Sequence, residues 1–139
     1  MITMKNAVSL RRQLRRRAGE EDGVTNSAIV VPGVVLLVIA ALQFALWYQG
    51  SNVAQNAAMA AYSSARAYQS SPETGRSSSA QILAQTGGFL SSPDVSIQRT
   101  ATTVTVTVRG EAFSLIPGVG MPPVERTVTG PIERWVPAQ

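Results

Sequence analysis

The chain has neither cysteine nor histidine. Without cysteine there is no disulfide, no lipid-bearing thiol and no thiolate chemistry. Without histidine the commonest general base and metal ligand is missing, so Ser-His-Asp and Cys-His arrangements are excluded by composition. Lysine is nearly absent as well. Lys5 is the only one, and it lies in the N-terminal segment, away from any region a Ser-Lys dyad would need. Aromatics are scarce: three Phe, three Tyr and two Trp. The C-terminal acids Glu73, Asp94, Glu111, Glu125 and Glu133 are scattered, with neither paired-carboxylate nor calcium-loop spacing, and each reads as a solvated surface charge. Gly118 and Gly120 lack the lysine of a phosphate-binding loop and read as turn residues. These absences imply no enzyme, no cofactor and no metal site, and leave binding or assembly.

The most informative absence is of charge between Ala28 and Trp47, AIVVPGVVLLVIAALQFALW. A helix rises about 1.5 Å per residue, so about 20 apolar residues match a hydrocarbon core of roughly 30 Å. This run meets that length and predicts a single-pass membrane helix. Trp47 and Tyr48 at its end suit the headgroup level. Pro32 removes a backbone donor and is expected to kink or loosen the first turns. Thr25, Asn26 and Ser27 are capping types just before the run.

The net charge of +4 is an N-terminal property. Arg11, Arg12, Arg15, Arg16 and Arg17 precede the apolar run, whereas arginines and acids after it nearly balance. Beside a membrane span, positive residues are retained in the cytoplasm. These arginines are therefore read as topology determinants in preference to a nucleic-acid patch, and no nucleic-acid partner is expected. The N-terminus is placed in the cytoplasm and the C-terminal region outside the cell membrane. A cleaved signal peptide would have a shorter apolar core, of about 7–15 residues. The first small-x-small site, Ala58-Met59-Ala60, lies well beyond the run. A retained anchor is preferred.

The predicted organisation is a basic cytoplasmic leader over 1–22, partly disordered, and a transmembrane helix over 23–48. A helical extension over 49–71 and a small external α+β domain over 72–139 follow. The extension has no proline before Pro72. Ala54, Ala57, Ala58, Ala61 and Ala65 recur at helical spacing, with Val53, Ala60 and Ala67 widening the face. Such a stripe suits close packing, either on the chain's own small domain or on neighbouring subunits. Continuous from Ala28 to Gln69, the helix would be a rod of roughly 60 Å. Ser71 and Pro72 are suited to start a second helix, and Gly87-Gly88 to end it.

The remainder reads as β. Val104, Val106 and Val108 alternate with Thr103, Thr105 and Thr107, the period-two pattern of a half-buried strand. Val95 and Ile97 alternate before them, with Arg99 to Thr102 as the hairpin. Ile116 to Pro123 is a Gly/Pro-rich loop. Val124 to Thr129 supplies a third strand, extended by Ile132 to Val136. The fold class is α+β: a long N-terminal helix including one transmembrane span, a second short helix and a small antiparallel sheet.

A basic leader, acids, a glycine, a few small polar residues, an apolar helix with an early proline and an Ala/Gln-rich helix follow one another in EEDGVTNSAIVVPGVVLLVIAALQFALWYQGSNVAQNAAMAA. This stretch, Glu20 to Ala61, resembles the TadE-like pilus-assembly proteins, pseudopilin-related components of Flp/Tad systems within the type IV pilus class. VTVTVRGEAFSLIPGVGMPP and TGPIERW resemble the β-rich tails of actinobacterial members, so the likeness covers about Glu20 to Pro137. It implies cleavage on the cytoplasmic side after Gly23 by a prepilin peptidase, with Val24 as the mature first residue. It also implies packing with other pilin or pseudopilin subunits and the assembly machinery. The chain departs from the family at one position. Pilin-like members carry a glutamate five residues after cleavage, where its carboxylate offsets a neighbour's terminal amine, and here that residue is Ala28.

Two functions are therefore expected from the sequence. The first is a non-catalytic pseudopilin or minor pilin. The second is a signal-anchored extracytoplasmic binding or scaffold protein unrelated to pili.

Overall fold

Valines at alternate positions of one strand project to the same side of a sheet, and alanines three and four apart project to the same side of a helix. The fold follows from bringing those two faces together. The computed structural model describes the backbone of residues 4–86 and 88–134 and the side chains from Ser27 onward within that range. The element order is α1 (Met4–Ala65), α2 (Pro72–Gln85), β1 (Leu90–Arg99), β2 (Thr103–Ala112) and β3 (Val124–Pro131), which is the expected α+β class. The chain divides into two units, Met1–Ala41 and Leu42–Gln139.

In the first unit the helix begins at Met4, not at the capping types Thr25 to Ser27, and includes backbone expected to be a partly disordered leader. That segment carries five Arg together with Leu, Ala and Glu and holds no proline, so helix formers outvote a local capping signal. Pro32 lies inside α1. Its missing donor leaves the Ala28 carbonyl without the usual partner.

In the second unit the three strands form one antiparallel meander in the order β1-β2-β3. The central register sets Ile97 opposite Val106 and Val95 opposite Val108. On the other side Val128 lies opposite Val106 and Val124 opposite Gly110. Val104, Val106, Val108 and Ala112 thus share the inner face, and all are buried together with Val53, Ala54, Ala57, Ala58, Ala61 and Ala65 of α1. The helix stays continuous through Gly50, whose small size is required. A Cβ there would stand 3.0 Å from the Phe89 carbonyl and 3.3 Å from the Ala112 Cβ. Gly75 brings α2 equally close, 2.9 Å from the Ala61 carbonyl by the same measure.

Helix α1 ends at Ala65, four residues short of the expected Gln69. Its last carbonyls find partners outside the helix. Ser70 Oγ donates to the Ser64 carbonyl at 2.6 Å, and the Glu133 N–H donates to the Arg66 carbonyl at 3.0 Å. Gln69 then takes a left-handed conformation with φ 59°. These bonds satisfy groups that a helix end otherwise leaves open. One comes from Ser70 just beyond the helix and the other from Glu133, distant in sequence, and neither is visible in the helical spacing.

Helix α2 starts as expected, with Ser71 as N-cap accepting from the Thr74 N–H and Pro72 in the first turn. Gly88 follows it with φ 86°, while Gly87 lies outside the described residues. Strand β1 is longer than Val95 and Ile97 suggested. A bulge between Ser91 and Asp94 absorbs Pro93 on an edge strand, where a missing donor is tolerated. The β1–β2 turn is held by Thr100, whose Oγ1 accepts from the N–H groups of Thr102 and Thr103 at 3.3 and 3.0 Å. Strand β3 ends at Pro131, so Ile132 to Arg134 do not extend it as expected. The Ile132 N–H makes one more bond, to the Thr102 carbonyl at 3.0 Å, before the backbone turns towards Arg66. Trp135 and Val136 lie outside the described residues.

Candidate membrane segment and packing face

The segment Ser27–Ala65 contains, by length and composition, the one helix among the described residues able to cross a membrane, with mean hydropathy 2.7 over its most apolar window. Only 6% of that window is buried. This separates it from the core helix of a soluble protein, whose apolar face would be covered. Leu36 and Leu37 are 67% and 70% exposed, and such a continuous apolar surface calls for a non-aqueous neighbour.

The alanine stripe has a different surrounding. Ala54, Ala57, Ala58, Ala61 and Ala65 are each 0% exposed in the isolated chain. Of the two packing modes open to it, the stripe is occupied by the chain's own sheet and by α2. Ala60 is half-buried at its edge, and Ala67 lies beyond the helix end. Gly23 and Val24 lie within the backbone of α1, as do Arg11, Arg12, Arg15, Arg16 and Arg17. Their side chains fall outside those described.

Polar contacts tie the helix to the sheet along its length. Trp47 Nε1 donates to the Pro122 carbonyl at 3.1 Å, the Arg126 guanidinium donates to Ser51 Oγ, and Tyr62 Oη donates to the Pro131 carbonyl at 3.3 Å. Arg66 closes the series with a 2.6 Å ion pair to Glu133 and sits 5.5 Å from the Tyr62 ring centroid. The hydrogen bonds that the Arg66 guanidinium donates to the Glu133 carboxylate, then its interaction with Tyr62, raise the Arg66 pKa above its ordinary value. The guanidinium is already charged at every ordinary pH. The stabilisation this shift represents is present below the unfolded pKa and is lost only at extreme alkalinity, so it is no physiological pH switch.

Gln43 was not singled out by the sequence reading. It is 7% exposed, and its Oε1 accepts from the Leu115 N–H at 2.9 Å. Its Nε2 is buried with no hydrogen-bond partner among the described residues. The available signal was an amide side chain inside an otherwise apolar run.

The outer sheet face is polar. Arg109 meets Glu125 through two contacts, Nε to Oε2 at 3.0 Å and Nη2 to Oε1 at 3.1 Å. Thr107 pairs with Thr127 at 3.0 Å and Thr129 with Thr105 at 3.1 Å. Asp94 and Ser96 complete a shallow open depression beside them. It holds no nucleophile–base pair, and among the described residues no group of three or more acids could hold a metal. The geometry is that of a side-chain ladder on a solvated sheet.

No protein-family model matches the chain, and neither a curated protein nor a solved structure does. What the fold and the surface define is a class: a small α+β unit whose first helix carries an exposed apolar run of membrane-spanning length.

Proposed function

We propose that the chain is a non-catalytic TadE-like pseudopilin or minor pilin of a Flp/Tad-type pilus system. It is held in the cell membrane with its N-terminus cytoplasmic and its α+β unit extracytoplasmic. The observation that carries this reading is the exposed apolar run of α1 continuing into the helix that forms one wall of the small external unit. The Glu20 to Ala61 sequence pattern gives the reading its direction. Since the alanine stripe is covered, packing against other subunits would use the apolar surface of Ile29 to Leu42.

Ala28 favours a second reading, a permanently anchored extracytoplasmic scaffold. A mature chain beginning at Val24 would bring its terminal amine among apolar helices without the usual carboxylate, and burying an unpaired charge is costly. Mass spectrometry of the mature N-terminus from native membranes, with and without the prepilin peptidase, separates the two. Peptidase-dependent cleavage between Gly23 and Val24 supports the pilus reading. An intact leader in both samples supports the scaffold.

A further inference from the structure

The loop from Phe113 to Pro123 follows β2 and returns to β3. A loop on the solvated end of a domain is ordinarily polar. This one is the reverse: Ala112 to Val124 carries no charged residue. Its large apolar side chains point outward, with Phe113 52%, Leu115 46% and Val119 49% exposed and Ile116 close behind. The inner sheet face and α1 do not claim them, so core packing does not explain them.

The loop's position is fixed by two long-range bonds to a short stretch of α1. The Leu115 N–H is held by Gln43 Oε1, and the Pro122 carbonyl by Trp47 Nε1. Gln43 and Trp47 lie one helical turn apart, about 6 Å along the axis, and both belong to the end of the uncharged run. Leu42 and Phe44 beside them are themselves 52% and 64% exposed. Loop and helix end therefore make one continuous uncharged apolar surface within the second unit. At the other end of the same sheet lie Arg66, Arg99 and Glu133, with Arg99 reaching the Ala67 carbonyl and Arg66 pairing with Glu133. Charge is not confined to that end: Glu111 lines the same depression as Phe113 and Val119, and the Arg109–Glu125 pair lies on the outer sheet face nearby.

We propose that this loop is a second membrane-contacting element, in which Phe113, Leu115, Ile116 and Val119 sit in the outer headgroup and upper acyl region. The proposal rests on the membrane reading of α1. Its occupant is a lipid surface because the patch adjoins Leu42 and Phe44, exposed residues at the end of the uncharged run that belong to the same unit as the loop. A lipid interface accepts apolar side chains about 5–10 Å deep without requiring a shaped partner. The hydrogen bonds at Gln43 and Trp47 fit that location. Each pairs a polar side chain of the helix with a loop backbone group that would otherwise lose water on approaching lipid. Held at two points, the loop would fix how deeply the unit sits on the bilayer.

The absence of cysteine allows single-site labelling of the full chain. Leu115→Cys, Val119→Cys, Thr107→Cys and Leu37→Cys, each carrying an environment-sensitive fluorophore, would be reconstituted in phosphatidylcholine vesicles containing a minor phosphatidylglycerol fraction. Emission would be read with shallow and deep lipid-borne quenchers and with aqueous iodide. The expected result is blue-shifted emission and shallow-lipid quenching at 115 and 119. Deep-lipid quenching is expected at 37 and iodide quenching alone at 107. Lipid quenching at 37 with iodide quenching at 115 and 119 overturns the loop proposal and leaves the span intact. Protection of 115 and 119 from both quencher types also overturns it and indicates a protein cover. Failure of lipid quenching at 37 overturns the membrane reading and the loop proposal together.

Discussion

At the residue scale the fold depends on what is small. Gly75 packs where a Cβ would stand 2.9 Å from the Ala61 carbonyl, and a backbone atom cannot turn aside as a side chain can. Gly75→Ala is expected to lower stability by about 1–3 kcal/mol through forced separation of α2 from α1, read as an earlier thermal transition in detergent by circular dichroism. Gln43 illustrates the converse case, a polar group placed where it satisfies another. Gln43→Leu removes the acceptor of the Leu115 N–H. Hydrogen exchange at that amide is expected to accelerate while amides in the centre of β2 keep their protection, because a part-buried donor that loses its partner opens more readily and a net hydrogen bond is worth about 0.5–1.5 kcal/mol. Unchanged exchange at Leu115 would mean that the bond does not hold the loop.

At the scale of elements, each segment was legible to the degree that its signal was local. The Val104, Val106, Val108 alternation identified β2, and Ser71-Pro72 identified the start of α2, because strand pleat and helix capping act over a few residues. The ends of α1 were not legible in the same way. Its C-terminal stop depends on the Ser70 hydroxyl and on Glu133, far along the chain, and β1 was obscured by the bulge that accommodates Pro93. The exposed run of α1 carries a prediction of its own. Leu37→Arg is expected to reduce membrane insertion strongly, since arginine at a helix centre costs about 2.5–3.5 kcal/mol on insertion scales. Carbonate extraction of membranes would read it as a shift of the chain into the soluble or degraded fraction. Full retention would argue against a bilayer around this segment.

For the whole molecule, the central observation is that the core is built from small side chains. The largest fully buried apolar side chains are the valines Val104, Val106, Val108 and Val124, set against a helix face of alanines. Close approach of backbone to backbone takes the place of bulk. Val106→Ala is expected to cost about 2 kcal/mol from lost methyl groups and the void they leave, measurable as a lower midpoint of thermal unfolding. Ala57→Leu and Ala61→Leu should be more damaging still, because overpacking this seam separates helix from sheet. The effect should appear as a still lower midpoint of thermal unfolding, so a loss of assembly in those variants would report a disturbed unit before it reported a lost contact. Substitutions on the exposed face of Ile29 to Leu42 are the informative ones for assembly.

The sequence by itself determined the apolar run, its length and the α+β character of the remainder, since each follows from periodicity and from the hydration of side chains along a continuous stretch. It also excluded thiol and imidazole chemistry, because no fold can supply a residue the chain lacks. Only the tertiary structure decided what covers the alanine stripe, because a small-residue face fits a sheet of the same chain as well as a neighbour's helix. It likewise decided the fate of the Gly/Pro-rich loop. Nothing local to Phe113–Pro123 specifies its pairing with Gln43 and Trp47, which are distant in sequence and meet only when β2 and β3 pack along α1.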